Sequence, residues 1–453
     1  MGFFLLGIFA ILEIALIVVT ITKQREKTMW LKNRVIARGA EVAVFILALL
    51  LPQISWDFRF KICFFILLIR VAFAMVSWLI KRKKAAGEKS KFGVIVNAVT
   101  GIIVLAISLV PSILFTGYAG LETSGKYQVK HTQAILVDES RVETFETDGS
   151  NREVPIHFYY PETENVGKNT FPLVIFSHGA FGYYQSNSST YMELASNGYV
   201  VISLDHPYHS FFTEDTEGNL ITVNPEFLQE VMLVNEENVT EEEIIELSHK
   251  WLEIRTADIN FVLDSMENVQ EEGIDSPVWF IESDETKEEI QKILSMTDTD
   301  KIGLMGHSMG GAASVSVGRY RQGIDAVIDL DGTMLGERIS CQDGKCEYIK
   351  EPYPVPVLAV DNEEHNQEGI TMKDEYVNYV VLKNAVDSTH TYFVGSGHMN
   401  FTDLPLFSPI LSSLLGTGTV DETECIETMN DVILIYFDYY LKGQGELNIK
   451  ECY

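Results

Sequence analysis

Four long apolar stretches, separated by short polar segments, dominate the first quarter of the chain. They cover residues 2–22, 35–51, 60–80 and 92–115, and each approaches the ~20 residues that an α-helix needs to cross a bilayer. The second stretch is the least apolar, because Arg38 and Glu41 lie within its first turns. The pattern predicts a transmembrane region of four helices over residues 1–118, followed by a separate domain over residues 119–453.

The basic residues between these stretches predict their orientation. Residues 21–38 hold six Lys or Arg and residues 81–91 hold six more, whereas the intervening loop has only Arg59 and Lys61. Short cytoplasmic loops are enriched in Lys and Arg, so four spans place both basic loops in the cytoplasm and both chain termini outside. We therefore expect a multi-pass protein of the cell membrane whose domain over residues 119–453 is extracytoplasmic. The first stretch is not expected to be a cleaved signal peptide, because no basic residue precedes its apolar run.

Two charged residues lie deep inside the predicted spans. Glu13 is in the first span and Arg70 in the third, and at ~1.5 Å per residue they share nearly the same depth. An unpaired charge at that depth is costly. The sequence therefore predicts an intramembrane ion pair between Glu13 and Arg70, with separate snorkelling of the two side chains as the alternative.

From residue 121 the pattern changes to short apolar runs that alternate with helical stretches. Continuous apolar runs such as FPLVIFS at 171–177 are typical of strands buried in a parallel sheet. This alternation predicts a doubly wound α/β sheet. Strands are expected at 127–145, 152–160, 171–177, 199–204, 301–305, 326–330, 355–360 and 391–394, and helices at 190–197, 248–266 and 427–441.

The net charge of −30 is divided unevenly along the chain. Residues 1–120 carry 15 basic and 5 acidic residues, whereas the remainder carries 19 basic and 59 acidic ones. A domain this acidic is a poor partner for nucleic acid and is repelled by anionic lipid, so it needs a tether if it works at a membrane. A solvated acidic surface is the simpler interpretation, and recognition of a cationic partner is the alternative.

The motif with the most specific chemistry is the turn GHSMG at residues 306–310. It follows an apolar run of strand type and precedes a stretch that can begin a helix. A serine on so tight a turn needs small neighbours, which Gly306 and Gly310 supply. The first turn of the helix directs backbone N–H groups at the serine hydroxyl. We therefore interpret Ser308 as a catalytic nucleophile, with a structural glycine-rich turn as the alternative.

A nucleophilic serine needs a base to accept its proton and an acid to orient that base. His398 lies in the loop just past the last predicted strand, where its imidazole can reach over the serine. For the acid, Asp331 and Asp361 each follow a strand at the same sheet edge, whereas Asp329 lies inside its strand. Position along the chain does not separate Asp331 from Asp361.

An acidic insertion over residues 212–250 interrupts the alternation of strands and helices. One interpretation is a cap over the active site, and the other is a solvated surface loop. The sequence leaves both open.

Four of the five cysteines lie outside the predicted spans, in a compartment that permits disulfides. An Asp-Gly turn can bring Cys341 and Cys346 together, which favours a Cys341–Cys346 disulfide and leaves Cys425–Cys452 as the second. Four free thiols are the alternative.

No metal and no cofactor are expected. His206 and His209 lie close together in the sequence, but no third ligand stands at a useful spacing, so we interpret both as packing at a strand end.

Several of these stretches resemble the platelet-activating-factor acetylhydrolase family of α/β-hydrolases, in its plasma and type II branch. The matching stretches are VIFSHG at 174–179, GHSMGG at 306–311, IDAVIDLDG at 324–332, VLAVDNE at 357–363 and HMNFTD at 398–403. They span most of the second domain and none of the transmembrane region. The resemblance implies an α/β-hydrolase fold.

The resemblance also implies roles for particular residues. It makes Ser308 the nucleophile, His398 the base and Asp331 the acid. It places the oxyanion hole at the backbone N–H groups of Ala180 and Met309, where such donors lie in this fold. Met309 replaces the family's usual phenylalanine and Ala180 a bulkier apolar residue, but neither change removes a backbone donor.

We therefore expect a membrane-anchored serine hydrolase that cleaves carboxylic esters through an acyl-enzyme. The resemblance implies short-acyl or lipid-like esters as substrates. A broader lipase, an acyltransferase, or a non-catalytic membrane sensor or binding protein on the same fold are the alternatives. The complete set of Ser308, Asp331 and His398 argues against the non-catalytic alternative.

Overall fold

A computed structural model of the protein describes the chain except for residues 23–25, 53, 84–86, 164–166, 235–238 and 343–344. The chain divides into two compact units. The first contains Met1–Ala119 together with Leu406–Leu411, and the second contains Gly120–Pro405 and Ser412–Tyr453. The predicted boundary lies between residues 118 and 119, and no sequence pattern predicts that Leu406–Leu411 groups with the N-terminal helices.

The described residues of the first unit form four helices: α1 (Gly2–Thr22), α2 (Lys27–Ala48), α3 (Phe58–Lys81) and α4 (Lys91–Leu114). Three of them, α1, α3 and α4, are long and apolar enough to cross a membrane. The prediction of four such helices is therefore wrong for α2. The helix begins at Lys27, so much of its length is polar, and it ends at Ala48 before the apolar stretch is complete.

A cluster of four charged side chains lies inside the first unit. The predicted pair of Glu13 and Arg70 is confirmed, with 2.5 Å between the Glu13 Oε1 and Arg70 Nη2 atoms. Arg38 of α2 also binds Glu13, and it lies 2.6 Å from Glu41 on its own helix. Glu13 and Glu41 are fully buried and Arg38 nearly so. The two charges that make α2 the least apolar stretch therefore face the other helices of the unit.

The second unit is built on a mostly parallel sheet. In the described part of the chain, the strands of this unit are β1 (Val129–Val142), β2 (Asn151–Pro161), β3 (Phe171–Ser177), β4 (Val200–Leu204), β5 (Phe212–Glu214), β6 (Leu220–Thr222), β7 (Trp279–Phe280), β8 (Thr297–His307), β9 (Ala326–Leu330), β10 (Arg338–Gln342), β11 (Lys345–Tyr348), β12 (Val357–Asn362) and β13 (Ser388–Phe393). Strands β5 and β6 pair with each other, as do β10 and β11, outside the main sheet. The main sheet has the order β13-β12-β9-β8-β3-β4-β2-β1-β7. Strands from β13 to β4 run parallel, and β2, β1 and β7 add antiparallel pairs.

Ten further helices are described after α4: α5 (Ser188–Ser196), α6 (Pro225–Leu233), α7 (Glu241–Glu272), α8 (Asp284–Met296), α9 (Met309–Tyr320), α10 (Glu363–Met372), α11 (Val377–Lys383), α12 (Leu404–Phe407), α13 (Pro409–Leu414) and α14 (Glu422–Lys442). Among them, α5, α7, α8, α9, α10, α11 and α14 contact strands of the second unit. Every residue of β3, β4, β9 and β12 is buried, as expected for central strands with helices on both faces. The predicted α/β-hydrolase architecture is confirmed.

The cysteines of the second unit are paired differently from the prediction. The structure contains the Cys341–Cys346 disulfide, which joins β10 to β11. The Cys425–Cys452 pairing is wrong, because both cysteines are free. Cys425 is buried in the first turn of α14 with its sulfur 4.0 Å from the Asn400 carbonyl, whereas Cys452 is exposed beside Tyr392 of β13.

Candidate active site

Ser308 occupies a strained turn between β8 and α9. Its φ of 56° and ψ of −124° are rarely adopted by a residue with a side chain. The chain holds it there by close backbone packing: a Cβ atom at Gly306 would lie 2.3 Å from the Gly310 backbone, and one at Gly310 would lie 1.9 Å from the Ser177 carbonyl oxygen. Glycine is therefore required at both positions, as the sequence pattern implies.

Asp331 and His398 are joined by a hydrogen bond of 2.7 Å between Asp331 Oδ2 and His398 Nδ1. Asp331 follows β9, and His398 lies in the loop after β13, so both side chains lie beyond the carboxyl ends of parallel strands. The His398 ring lies 4.5 Å from the ring of His307, the residue directly before Ser308. The structure therefore brings the proposed acid and base together beside the serine turn.

The Asp331 carboxylate is held by two further groups. Its Oδ1 accepts hydrogen bonds from the Asn362 backbone N–H at 2.6 Å and from His365 Nδ1 at 3.0 Å. Burial raises the pKa of this carboxyl, but the hydrogen bonds from His365 and His398 outweigh burial and hold its pKa well below the usual range. Asp331 is therefore an anion at neutral pH and suits the role of orienting an imidazole.

The two competing aspartates have other neighbours. Asp361 accepts a hydrogen bond of 2.9 Å from His390 Nε2, and burial raises its pKa. Asp329 packs against the nucleophile turn, where a Cβ atom at Gly311 would lie 1.9 Å from its Oδ1. Burial and the nearby aspartates raise the pKa of Asp329 well above its usual value. Of the three, it is Asp331 that bonds His398.

The predicted oxyanion residues flank the serine turn. A Cβ atom at Gly179, directly before Ala180, would lie 3.3 Å from the Cβ of Ser308. Met309 is the first residue of α9 and directly follows the serine. The backbone of both residues therefore comes from segments packed against Ser308.

The acidic insertion over residues 212–250 packs on these same residues. Phe227 of α6 and Trp251 of α7 form a buried apolar cluster with Met309, and Ala180 and Phe181 pack against it. Phe227 of the insertion and the adjacent Trp251 thus pack against the predicted oxyanion turn, residues 178–182, and the role of the insertion as a cap over the active site stays a prediction.

The two histidines considered for a metal have other contacts. His206 lies 2.9 Å from both Asp258 and Ser177, and His209 stacks on Phe227 with ring centroids 3.8 Å apart. Both fit the prediction of packing at a strand end.

A different set of possible metal-binding groups lies at the acid. The ligand atoms of Asp331, Asp361 and His365 lie within 4.8 Å of one another. Each of these groups has a hydrogen-bond partner in the structure: His365 bonds Asp331, and Asp361 accepts from His390.

Sequence reasoning missed two groups at this site. His365 lies in α10, and no motif in the sequence points to it as a partner of Asp331. Asn362 donates to both Asp331 oxygens, from its backbone N–H and from its side chain at 2.8 Å. The only signal was its position at the end of β12, beside the strand that carries Asp331.

The sheet order and the serine turn define an α/β-hydrolase. A family model described as platelet-activating factor acetylhydrolase, isoform II, matches residues 150–451, and the chain belongs to this family. The N-terminal helices lie outside the matched region.

Curated relatives and a solved structure agree with this assignment. The platelet-activating factor acetylhydrolase of Canis lupus familiaris is 24% identical over 278 residues, which is 60% of this chain and 57% of the relative. A probable 1-alkyl-2-acetylglycerophosphocholine esterase of Arthroderma benhamiae is 22% identical, over 63% of this chain and 65% of the relative. The chain thus spans about three fifths of the length of the curated relatives it matches. The ferulic acid esterase of Streptomyces cinnamoneus shares the fold, with a TM-score of 0.53 and 20% identity over 73% of this chain and 95% of that chain.

Proposed function

We propose that this protein is a membrane-anchored serine hydrolase that cleaves carboxylic esters through an acyl-enzyme. The observation that carries the proposal is the strained Ser308 turn beside the hydrogen-bonded pair of His398 and Asp331. A binding protein has no need of backbone strain at a serine, because such strain costs free energy that only a positioned nucleophile uses. Membership of a family of acetylhydrolases supports the same reaction.

In the proposed reaction each of these groups has one role. The Ser308 hydroxyl attacks the ester carbonyl carbon while His398 accepts the hydroxyl proton, and Asp331 holds the imidazole in the required orientation. The carbonyl oxygen becomes negatively charged and accepts hydrogen bonds from the N–H groups of Ala180 and Met309. His398 then donates its proton to the leaving alcohol, and water releases the acyl group from Ser308 by the same steps.

The proposed substrate is an ester with a short acyl group. The names of both relatives refer to an acetyl group. In this chain, Phe227, Trp251 and Met309 fill the space beside the oxyanion turn with buried side chains. A crowded wall at that position suits a small acyl group better than a long one.

The proposed anchor is the N-terminal helical unit, with the second unit on the extracytoplasmic side. The Lys27 backbone N–H donates to the Gly87 carbonyl at 3.0 Å, so the start of α2 lies beside the residues just before α4. From that end α4 extends for 24 residues, a rise of ~36 Å. A chain that crosses the membrane in α4 leaves the basic loops in the cytoplasm and emerges on the opposite side.

The full-length protein in detergent micelles provides the test. A fluorophosphonate is expected to label Ser308, and a series of p-nitrophenyl esters is expected to show fastest turnover at short acyl length. Ser308→Ala should abolish labelling and lower turnover by about 10⁴–10⁶-fold. A wild-type protein that neither labels nor turns over any ester of the series would refute the proposal.

A matched pair of variants tests the choice of acid. Asp331→Asn should lower kcat by about 10⁴-fold, because the amide cannot hold His398 as the required tautomer. Asp361→Asn alters a buried aspartate that bonds His390 instead, and should retain most of the turnover. Equal losses in the two variants would contradict the assignment of Asp331.

A further inference from the structure

One buried cation lies directly behind the oxyanion turn. Arg255 of α7 is fully buried, and its guanidinium donates hydrogen bonds to the backbone carbonyls of His178 and Gly179, the latter at 3.3 Å. Within the described residues it forms no ion pair, and its Nε is buried without a partner. Arginine is almost never fully buried without a carboxylate, because desolvating a guanidinium is costly.

The nearest acid does not compensate this charge by direct contact. Asp258, one helical turn along α7, is occupied by Arg152 at 2.7 Å and by His206 at 2.9 Å. Burial lowers the pKa of Arg255 to about 9, so the group remains protonated at neutral pH. A charged side chain is therefore retained in the core with two peptide carbonyls as its hydrogen-bond acceptors.

The geometry of a trans peptide links these carbonyls to the oxyanion donors. In each planar peptide the C=O of one residue and the N–H of the next point in opposite directions. A Gly179 carbonyl held on the Arg255 side therefore directs the Ala180 N–H away from Arg255. The hydrogen bond also polarises the peptide, which strengthens its N–H as a donor.

The Gly179 carbonyl has other partners, which define what Arg255 adds. It also accepts from the Gly182 N–H at 3.1 Å and lies 2.7 Å from His178 Nδ1. These contacts come from within the turn itself. Arg255 is on a different element, so it ties the turn to the core of the domain.

We propose that Arg255 is a positioning residue that fixes and polarises the oxyanion turn, so that the Ala180 N–H is aimed before substrate binds. This inference rests on the proposed serine esterase function. Pre-aimed donors stabilise charge that develops in the transition state, so losing Arg255 should weaken transition-state binding more than substrate binding.

The test compares R255M and R255K with R319M in the full-length protein in detergent. Arg319 is a matched control: it is a largely buried arginine of the same domain, but it pairs with Glu337 at 2.5 Å. Rates are expressed per site labelled by a fluorophosphonate, which removes the effect of misfolded protein. Two quantities are then measured: kcat and KM on p-nitrophenyl acetate, and the inhibition constant of a trifluoromethyl ketone, whose hemiketal oxygen occupies the oxyanion hole.

For R255M we expect kcat to fall by about 10–10²-fold, somewhat less than for loss of a whole oxyanion donor. KM should change little, and affinity for the trifluoromethyl ketone should fall by the same factor as kcat. R255K should be intermediate, because an ammonium can still donate to one carbonyl. R319M should keep the wild-type kcat and inhibitor affinity per labelled site.

Two results would overturn the inference while leaving the esterase proposal standing. One is wild-type kcat and inhibitor affinity per labelled site in R255M or, if that variant does not fold, in R255K. The other is an equal loss in R319M, which would indicate a structural role common to buried arginines. An inactive, unlabelled wild type would instead refute the proposed function itself.

Discussion

Asp331 accepts hydrogen bonds from two imidazoles, and only one of them is needed to orient a base. His398 contacts Oδ2 at 2.7 Å and His365 contacts Oδ1 at 3.0 Å. Burial lowers the pKa of His365, but the hydrogen bond and negative charge of Asp331 outweigh this and raise its pKa to about 9 from 6.5. His365 is therefore a fixed positive charge beside the acid across the neutral range.

This raised pKa predicts a pH-dependent contribution to stability. A base whose pKa is higher in the folded state stabilises the fold fully below its unfolded pKa of 6.5, and the contribution is lost as pH rises through about 9. His365→Asn keeps a donor but cannot titrate. The difference in thermal unfolding temperature between wild type and this variant should be largest at pH 6 and should disappear above about pH 9.

The control for this measurement is His249→Asn, which alters an exposed histidine that contacts the Arg338 carbonyl at 2.9 Å. A His365 effect that stays constant from pH 6 to pH 10 would show that the imidazolium is not the source of the stability.

The sequence predicts a site residue where a short segment of the chain identifies it, but not where contacts between distant residues define it. Ser308 and His398 were predicted from a short motif and a loop position, and their catalytic roles stay predictions. Asp331 could not be separated from Asp361 by position, because both follow strands at one sheet edge. The structure separates them through His398, which lies 67 residues beyond Asp331. Arg255 could not be predicted either, because its contact with His178 joins residues 77 positions apart.

Helix α6, part of the insertion over residues 212–250, packs on the oxyanion turn through the side chain of Phe227. Phe227 is 2% exposed, and its ring lies 5.4 Å from Phe181, 5.7 Å from Trp251 and 3.8 Å from His209. Phe227→Ala should lower the free energy of unfolding by about 3–5 kcal/mol, as for other buried aromatic residues. The opened space should also raise kcat/KM for a C8 ester relative to the C2 ester by at least about tenfold.

Leu228→Ala is the matched control, because Leu228 is on the same helix but is 37% exposed. Thermal unfolding and a p-nitrophenyl ester series measure the two effects. A Phe227→Ala variant with unchanged acyl-length preference would show that the insertion does not border the acyl group.

The predicted boundaries of the buried strands are closer to the structure than the predicted start of helix α7. The buried strands were predicted closely, because continuous apolar runs define β3, β4 and β9. Helix α7 was predicted from residue 248, but it begins at Glu241. The missed signal is a capping box, in which Thr240 caps the helix and Glu243 bonds back to it. The three glutamates at the start of α7 conceal the beginning of the helix.

The distribution of charged and apolar residues predicts a transmembrane region and a separate second domain. It does not predict that charged residues of the second apolar stretch are buried. Arg38 and Glu41 were the reason that the second stretch is the weakest candidate span. In the structure both are buried in the helical unit, where Arg38 binds Glu13 and Glu41 lies 3.4 Å from Arg70. A single-sequence pattern records the polarity of each residue, whereas the neighbours that offset it come from other helices.

The cluster of Glu13, Arg38, Glu41 and Arg70 contains two acids and two arginines, so its formal net charge is zero. Glu13→Gln leaves one excess positive charge among buried groups, and Arg70→Gln leaves one excess negative charge. Breaking a buried pair in this way typically costs about 3–5 kcal/mol, because one charge stays buried without its partner. Each single variant should therefore lower accumulation in the membrane fraction and the thermal unfolding temperature in detergent.

The Glu13→Gln/Arg70→Gln double variant restores neutrality and should be less destabilised than the sum of the two single variants. Arg82→Gln, at the exposed end of α3, should behave as wild type. Additive losses in the double variant would show that the two charges do not stabilise each other.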